Sequence, residues 1–296
     1  MLQRGKKRIY AYLWNIIQRF WENSTIRLLS LFINIVYNCN MWNPVAPIKK
    51  TLYRLGFFAK TLKGAGYFIR HSQASFKVLI MQILFTFVYA MGITTLLALA
   101  IGAAVNIIGV PFLTMINQQQ LIYTLLIIII TRELGPLLTA FIVIARSATA
   151  IATEIAGMVI SHEVEAYISV GIDPIEQLAV PRFLGVTISL VLMNIYFSVF
   201  GLAGSYIVTQ LFSSTPMDYY FTSLLQQLSI YDVIISIIKS IVFGTIISIY
   251  AVIEGFSVER ASTEVPVAGL RAVGGAFALC IVVDVIISAL YYIALG

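Results

Sequence analysis

The sequence predicts an all-α integral membrane protein: amphipathic interfacial helices at the amino terminus, then five transmembrane helices, with a short cytoplasmic helix between spans two and three. Three observations carry this prediction. Of 296 residues, 60% are hydrophobic and only 11% charged, with a mean hydropathy of +0.94, whereas a soluble domain carries roughly 25% charged residues. Five apolar stretches reach or exceed the ~20 residues needed to cross a ~30 Å hydrocarbon layer. The charges are also segregated: residues 1–77 hold 13 of the 19 Lys/Arg and one acid, Glu22, leaving 6 bases and 12 acids for the remainder. The expected organisation is therefore a basic arm, 1–77, and one membrane-embedded domain, 78–296.

In the arm, Ile9, Tyr12, Leu13, Ile16, Ile17 and Phe20 recur at spacings of three and four, opposite Asn15, Gln18 and Arg19. This is one apolar face of a helix about 18 Å long, too short to span and suited to lie in the interface. Residues 26–37 are equally short, and Pro44 and Pro47 interrupt the chain. A second basic amphipathic stretch runs from Ile48 to about Arg70. Trp14, Phe20 and Trp21 lie among the bases, as at a membrane surface rather than on nucleic acid. The broken apolar run and the lack of a small-residue cleavage site argue against a cleaved signal peptide. Cys39 and Cys280 are too far apart in sequence to suggest a disulfide framework or metal site.

The spans are expected at 78–108, 121–145, 184–212, 233–253 and 272–295. The first is longer than a crossing needs, so its opening dozen residues suit an in-plane elbow. Lys and Arg in the connections are Arg146 and Arg182 in 146–183, and Arg260 and Arg271 in 254–271. By the positive-inside rule these loops and the amino terminus are cytoplasmic, and five spans put the carboxyl terminus outside.

Chemistry concentrates in three places. Arg132 and Glu133 of Thr131-Arg132-Glu133-Leu134-Gly135-Pro136 fall at the centre of the second expected span. A charge at that depth costs at least ~2.5–3.5 kcal/mol and marks a cavity or a transport path. Neighbours on a helix point about 100° apart, so the two residues do not fully satisfy each other. Pro136 loosens the helix by its missing donor and its clash with the Arg132 carbonyl. Lys239 and Asp284, in the last two spans, lie at comparable depths and suit a structural bridge. The third place is Ser161–Gly171, which has Ser161 as N-cap, Glu163 and Glu165 in the first turn and Gly171 as stop. Val164, Tyr167 and Ile168 form its apolar stripe. Asp173, Pro174 and Glu176 then read as a second helix start with a capping box.

The order and spacing of Arg132-Glu133-Leu134-Gly135-Pro136, Ala145-Arg146, Glu154-Ile155-Ala156-Gly157-Met158, Glu163, Glu165-Ala166, Gly171-Ile172-Asp173-Pro174, Pro181-Arg182, Lys239-Ser240, Gly255-Phe256 and Asp284 resemble the MlaE (YrbE-type) permease family of ABC lipid transporters. The resemblance covers about residues 85–296. It implies a homodimeric inner-membrane permease working with a cytoplasmic ABC ATPase, an MCE-domain carrier outside the membrane, a small STAS-type regulator and membrane lipids. It implies a lipid cavity bordered by Arg132 and Glu133. It also implies a coupling helix, which maps to Glu154, Gly157, Met158, His162, Glu163, Val164, Glu165, Tyr167, Ile168, Gly171 and Asp173. The run Ala145–Ala150 departs from the family's usual Ala-Gly-Arg-x-Gly-Ser.

The function expected is the permease subunit of a transporter moving phospholipid or a similar lipid between the inner membrane and the carrier. No phosphate-binding Gly-x-x-x-x-Gly-Lys-Ser/Thr loop is present, so ATP and Mg belong to the partner ATPase and this chain binds no cofactor. The alternative is an ion-coupled secondary transporter using Glu133, Lys239 and Asp284 as a relay. A lipid-modifying enzyme fits poorly, because His71 and His162 are far apart and neither has a ligand set.

Overall fold

A computed structural model of the chain describes residues 56–58, 60–66, 74–212, 216–258 and 261–295. The amphipathic helices expected at 9–20 and 26–37, with Cys39, His71 and Arg260, lie outside the described residues. Every described element is helical. Five helical runs are long and apolar enough to cross a membrane: Phe76–Met115, Leu121–Ile160, Ile175–Leu211, Ile230–Phe256 and Glu264–Ile293. Their number and order match the hydropathy reading.

The first run is α1 (Ala74–Phe87), a 3-10 turn (Val88–Ala90) and α2 (Met91–Met115). The turn falls where the elbow was expected to end. Arg146 donates to the carbonyl of Tyr89 inside this turn. The second run is not a uniform α-helix. It comprises α3 (Leu121–Leu126), a π-helical segment (Ile127–Leu134), α4 (Gly135–Val143), a second π segment (Ile144–Ala148) and α5 (Thr149–Ile160). It therefore continues to Ile160 instead of stopping at Ala145, because Thr149–Ile160 stays apolar enough to pack. The short α6 (Glu163–Ser169) follows, then a π segment (Ile175–Ala179) that leads into α7 (Val180–Phe212). Beyond it come α8 (Met217–Gln227), α9 (Ile230–Phe256) and α10 (Glu264–Leu295).

Helix α7 is the central post, touching α1, α2, α4 and α9. Small residues allow this. A Cβ built on Gly102 of α2 would stand 1.9 Å from the carbonyl oxygen of Gly201 on α7, so the two backbones touch where no side chain fits. One turn on, Asn106 donates to Ser205 O at 2.7 Å and Thr209 Oγ1 at 2.6 Å. In hydrocarbon, helices have no hydrophobic drive to associate, and close backbone packing with interhelical hydrogen bonds supplies the contact energy.

Helix α8 tucks Tyr220 and Leu224 into a cluster with Leu126, Ile127 and Phe197. Burial pushes the Tyr220 hydroxyl up to about 12, and it is hydrogen-bonded to Ser205 at 2.5 Å. The described helix at residues 60–66 buries Thr61, Gly64 and Ala65 while exposing Lys60 and Lys63. A Cβ on Gly64 would meet Val180, so this segment packs on the start of α7.

Gly102→Ala is expected to destabilise the fold by about 1–3 kcal/mol through overpacking. Gly92→Ala, with nothing within 4 Å of the added carbon, is expected to be neutral or slightly stabilising. Thermal unfolding of the detergent-purified variants compares them directly.

Candidate functional site: a buried charge cluster and a capped loop helix

The π turn at Ile127–Leu134 is explained by Pro136. In an α-helix the proline ring would collide with the Arg132 carbonyl four residues back. One extra residue per turn moves that carbonyl clear, and π-bulges occur often at functional positions. A Cβ on Gly135 would lie 2.6 Å from Ile130 O, so this turn also needs glycine before the proline. The outcome is that Arg132 turns inward, 6% exposed, while Glu133 stays half-buried.

Arg132 holds several acceptors at once. Its Nε donates to Glu133 Oε1 at 3.2 Å and its Nη1 to Asp232 Oδ1 at 3.4 Å. Its Nη2 donates to the Tyr292 hydroxyl. The guanidinium carbon lies 4.9 Å from the Tyr291 ring centroid and 5.0 Å from that of Tyr292, within cation–π range. Lys239 is fully buried. Its Nζ is 2.6 Å from Glu133 Oε2, 2.9 Å from Asp284 Oδ1 and 2.8 Å from Ser288 Oγ. Ser288 Oγ also donates to Glu133 Oε2 at 2.9 Å. Two cations and three carboxylates thus form one continuous cluster across the π segment, α9 and α10.

Lys239 and Asp284 do pair, but they do not stand apart from Arg132 and Glu133. Glu133 joins them to one network, because the half-turned π segment aims its carboxylate at α9. The position of Arg132 along its helical run also differs from the sequence expectation. Since the second helical run extends from Leu121 to Ile160, Arg132 lies about a third of the way along it rather than at its centre. It meets Asp232 in the first turn of α9 and Tyr292 in the last turn of α10, so this half of the cluster sits near one end of the bundle.

Asp232, Ser288, Tyr291 and Tyr292 are the members that sequence reasoning missed. Asp232 has a visible signature, the Ser229-x-x-Asp232 capping box, and the box forms. Its Oδ2 accepts from the Ser229 N–H, which leaves Oδ1 for Arg132 and Tyr291.

The opposite end of the second run carries the loop. Helix α6 has no buried residue, and Ile168 is 60% and Val170 70% exposed. Ser161 is not its cap. The turn leaving α5 puts His162 in the left-handed region (φ 61°) at the N-cap position, and the Ser161 hydroxyl bonds Met158 O and Glu163 instead. His162 Nδ1 lies 2.9 Å from Glu165.

The stop is as expected. Gly171 has φ +77°, its N–H reaches Ile168 O at 3.0 Å, and the Ile172 N–H reaches Tyr167 O at 2.9 Å, the pair of bonds of a Schellman cap. Asp173 Oδ1 accepts from the Ile175 N–H at 3.0 Å, and its Oδ2 is 2.5 Å from Lys60 Nζ. Burial opposes ionisation of Asp173, but these two donors hold its carboxyl below the ordinary range.

Glu154 is paired with the buried Arg182 at 2.8 Å, Met158 is half-buried, and nothing lies within 4 Å of a Cβ on Gly157. Val164 and Tyr167 are half-buried beside exposed Glu163 and Glu165. Among the described residues no group of three or more His, Cys, Asp or Glu could hold a metal ion.

This arrangement, a charge cluster on one end and an exposed capped helix on the other, coincides with a family match. The model for Permease MlaE matches residues 79–290. The chain belongs to the MlaE permease family. A probable ABC transporter permease protein of Rickettsia prowazekii is 30% identical over 218 residues, covering 73% of this chain and 83% of that protein. The intermembrane phospholipid transport system permease protein MlaE of Haemophilus influenzae is 24% identical over 73% of this chain and 84% of its own length. In Arabidopsis thaliana the chloroplastic protein TRIGALACTOSYLDIACYLGLYCEROL 1 is 25% identical over 70% of this chain and 59% of its own length. This MlaE-type chain is a membrane permease of the ABC transporter kind, and α6 and the charged members of the cluster lie within the matched residues, with Tyr291 and Tyr292 just beyond them.

Lys239→Met is expected to cost about 3–5 kcal/mol, because it leaves two carboxylates partly buried without their cation. Ser288→Ala, which removes one hydroxyl, is expected to cost about 1 kcal/mol. Thermal midpoints of the two variants in one detergent check the ranking.

Proposed function

We propose that this chain is the permease subunit of an ABC transporter that moves phospholipid or a similar lipid between the inner membrane and an extracytoplasmic MCE-type carrier. The observation that carries this reading is the open side of the charge cluster. The Glu133 side chain is 28% and the Asp284 side chain 16% exposed, and the outward neighbours of Asp284 on α10, Ile281, Val282, Val285 and Ile286, are apolar. Charges facing hydrocarbon cost at least ~2.5–3.5 kcal/mol each, so this side faces a cavity. A second copy of the chain would enclose it. In α10, only 11% of the most apolar stretch is buried in one copy, leaving a long face to be covered. The MlaE protein of Haemophilus influenzae, named for intermembrane phospholipid transport, supports a lipid as cargo.

In this reading Arg132 and Glu133 border the lipid path. Three of the five Arg132 N–H groups have acceptors, so a lipid phosphate takes the two that remain or displaces Tyr292 or Asp232. Charge-assisted bonds to phosphate make that exchange favourable. The cluster thus holds Arg132 in readiness and returns to its closed pairing when the lipid leaves. A cytoplasmic ATPase, carrying ATP and Mg, docks on α6 and the flanking residues 154–173, with a small STAS-type regulator on the ATPase. The amino terminus and α6 lie in the cytoplasm and the carboxyl terminus outside.

A second reading, ion-coupled transport, is favoured by one observation: the cluster holds one carboxylate more than it has cations, as a proton relay would. Transport that collapses with the ion gradient and proceeds without an ATPase would select it.

Glu133→Gln and Arg132→Gln are expected to slow transfer of labelled phospholipid to the carrier at least about tenfold, the effect of one lost charge-assisted contact, with the ATPase still co-purifying. Unchanged transfer removes the pair from the path. Tyr167→Asp or Ile168→Asp is expected to release the ATPase from the purified complex, and an intact complex would place docking elsewhere.

A further inference from the structure

A second polar feature lies away from the charge cluster. Between α1 and the stretch from the second π segment to α5 runs a cleft of about 640 Å³, a volume suited to a small ligand or a lipid head group. Lys77 and Arg146 both line it. Arg182 forms part of the wall, is 4% exposed, and leaves its Nε without a partner among the described residues.

The acid facing this cleft is Glu154, and it is already paired with Arg182 at 2.8 Å. Three cations against one carboxylate leave the cleft two positive charges in excess. Neither Lys77 nor Arg146 has a carboxylate partner among the described residues. The Ser147 hydroxyl donates to that of Thr86 at 3.1 Å, which leaves the Thr86 proton as a neutral donor. Beside Lys77 and Thr86, α1 also offers an apolar strip: Met81 is 49% and Phe85 56% exposed, one helical turn apart.

We propose that this cleft is a binding site for the phosphate of an anionic phospholipid, held in the head-group layer beside α1 and separate from the transport path. The chemistry recognised is a phosphate oxyanion. Lys77 and Arg146 supply charge-assisted donors to it, Thr86, oriented by Ser147, supplies a hydroxyl, and Met81 with Phe85 receives the start of an acyl chain. A basic pocket against a spanning helix, with an apolar flank, is the arrangement that selects anionic head groups. Helix α1 is seated by close contact with α7, where a Cβ on Gly185 would strike Gln82. A lipid in the cleft therefore bridges α1 to the second helical run and braces the segment that precedes the 3-10 turn. The site would hold its lipid whether or not the chain transports one, so it stands independently of the transport reading.

Native mass spectrometry of the full chain released from nanodiscs of phosphatidylglycerol and phosphatidylcholine tests this. The unaltered chain and a Lys63→Gln variant are expected to retain phosphatidylglycerol preferentially. Lys77→Gln with Arg146→Gln is expected to reduce that preference about fivefold for each cation removed; an unchanged preference overturns the site. Millimolar inorganic phosphate is expected to leave the lipid bound, whereas displacement by it would mean that the cleft takes a free anion. Should the double variant not fold, a photoactivatable phosphatidylglycerol on the unaltered chain decides. Cross-links within 77–89 or 146–154 support the proposal, and cross-links confined to other segments sink it.

Discussion

The ammonium of Lys239 is the contact on which the rest of the membrane-embedded arrangement depends. It is fully buried and its neighbours come from two other helical elements: Glu133 from the π segment, and Asp284 and Ser288 from α10. A buried ion of this kind loses several kcal/mol of hydration, and only convergent partners recover it. Each partner is therefore constrained. The π turn must aim Glu133 at α9, and α10 must present Asp284 and Ser288 one turn apart on the same face. Arg132 then inherits its place from Glu133, and Asp232 with the two tyrosines completes its shell. Replacing such a cluster with apolar side chains would often be neutral or favourable for stability alone, so its presence in a membrane span points to use.

The parts legible in the sequence were those governed by composition and local chemistry. Five spans followed from apolar run length, and the helix stop at Gly171 followed from the left-handed conformation that glycine supplies. Arg132 and Glu133 stood out because charge is costly there. What stayed hidden depends on three-dimensional convergence. Lys239 and Asp284 were matched by depth, but nothing in their spacing reveals that Glu133 turns toward the same ammonium, because the π geometry that turns it leaves no periodic trace. Asp232 sits just before the expected 233–253 span and was passed over, although its capping signature was present. Tyr291 and Tyr292 lie at the end of an apolar span, where nothing in their spacing pairs them with an arginine 160 residues away.

The end carrying α6 follows different physics from the cluster end. It is held by local caps and by ion pairs such as Glu154–Arg182 and Lys60–Asp173, while its apolar residues Ile168 and Val170 remain uncovered. Stability here comes from within the loop, so the helix keeps its shape without a partner and presents a ready face to one. The charge cluster instead spends its polar capacity internally and leaves carboxylate edges toward the open side.

Both ends are joined by one helical run from Leu121 to Ile160 that contains two π segments. Each π turn stores one residue more than an α turn. Converting either segment to α geometry would rotate the helix beyond it by about 100° and shift it by about 1.5 Å along its axis. That is a register change made in whole residues, not a gradual bend. A helix built this way can hold discrete settings, so a pull on the loop end could be delivered at Arg132 as a step.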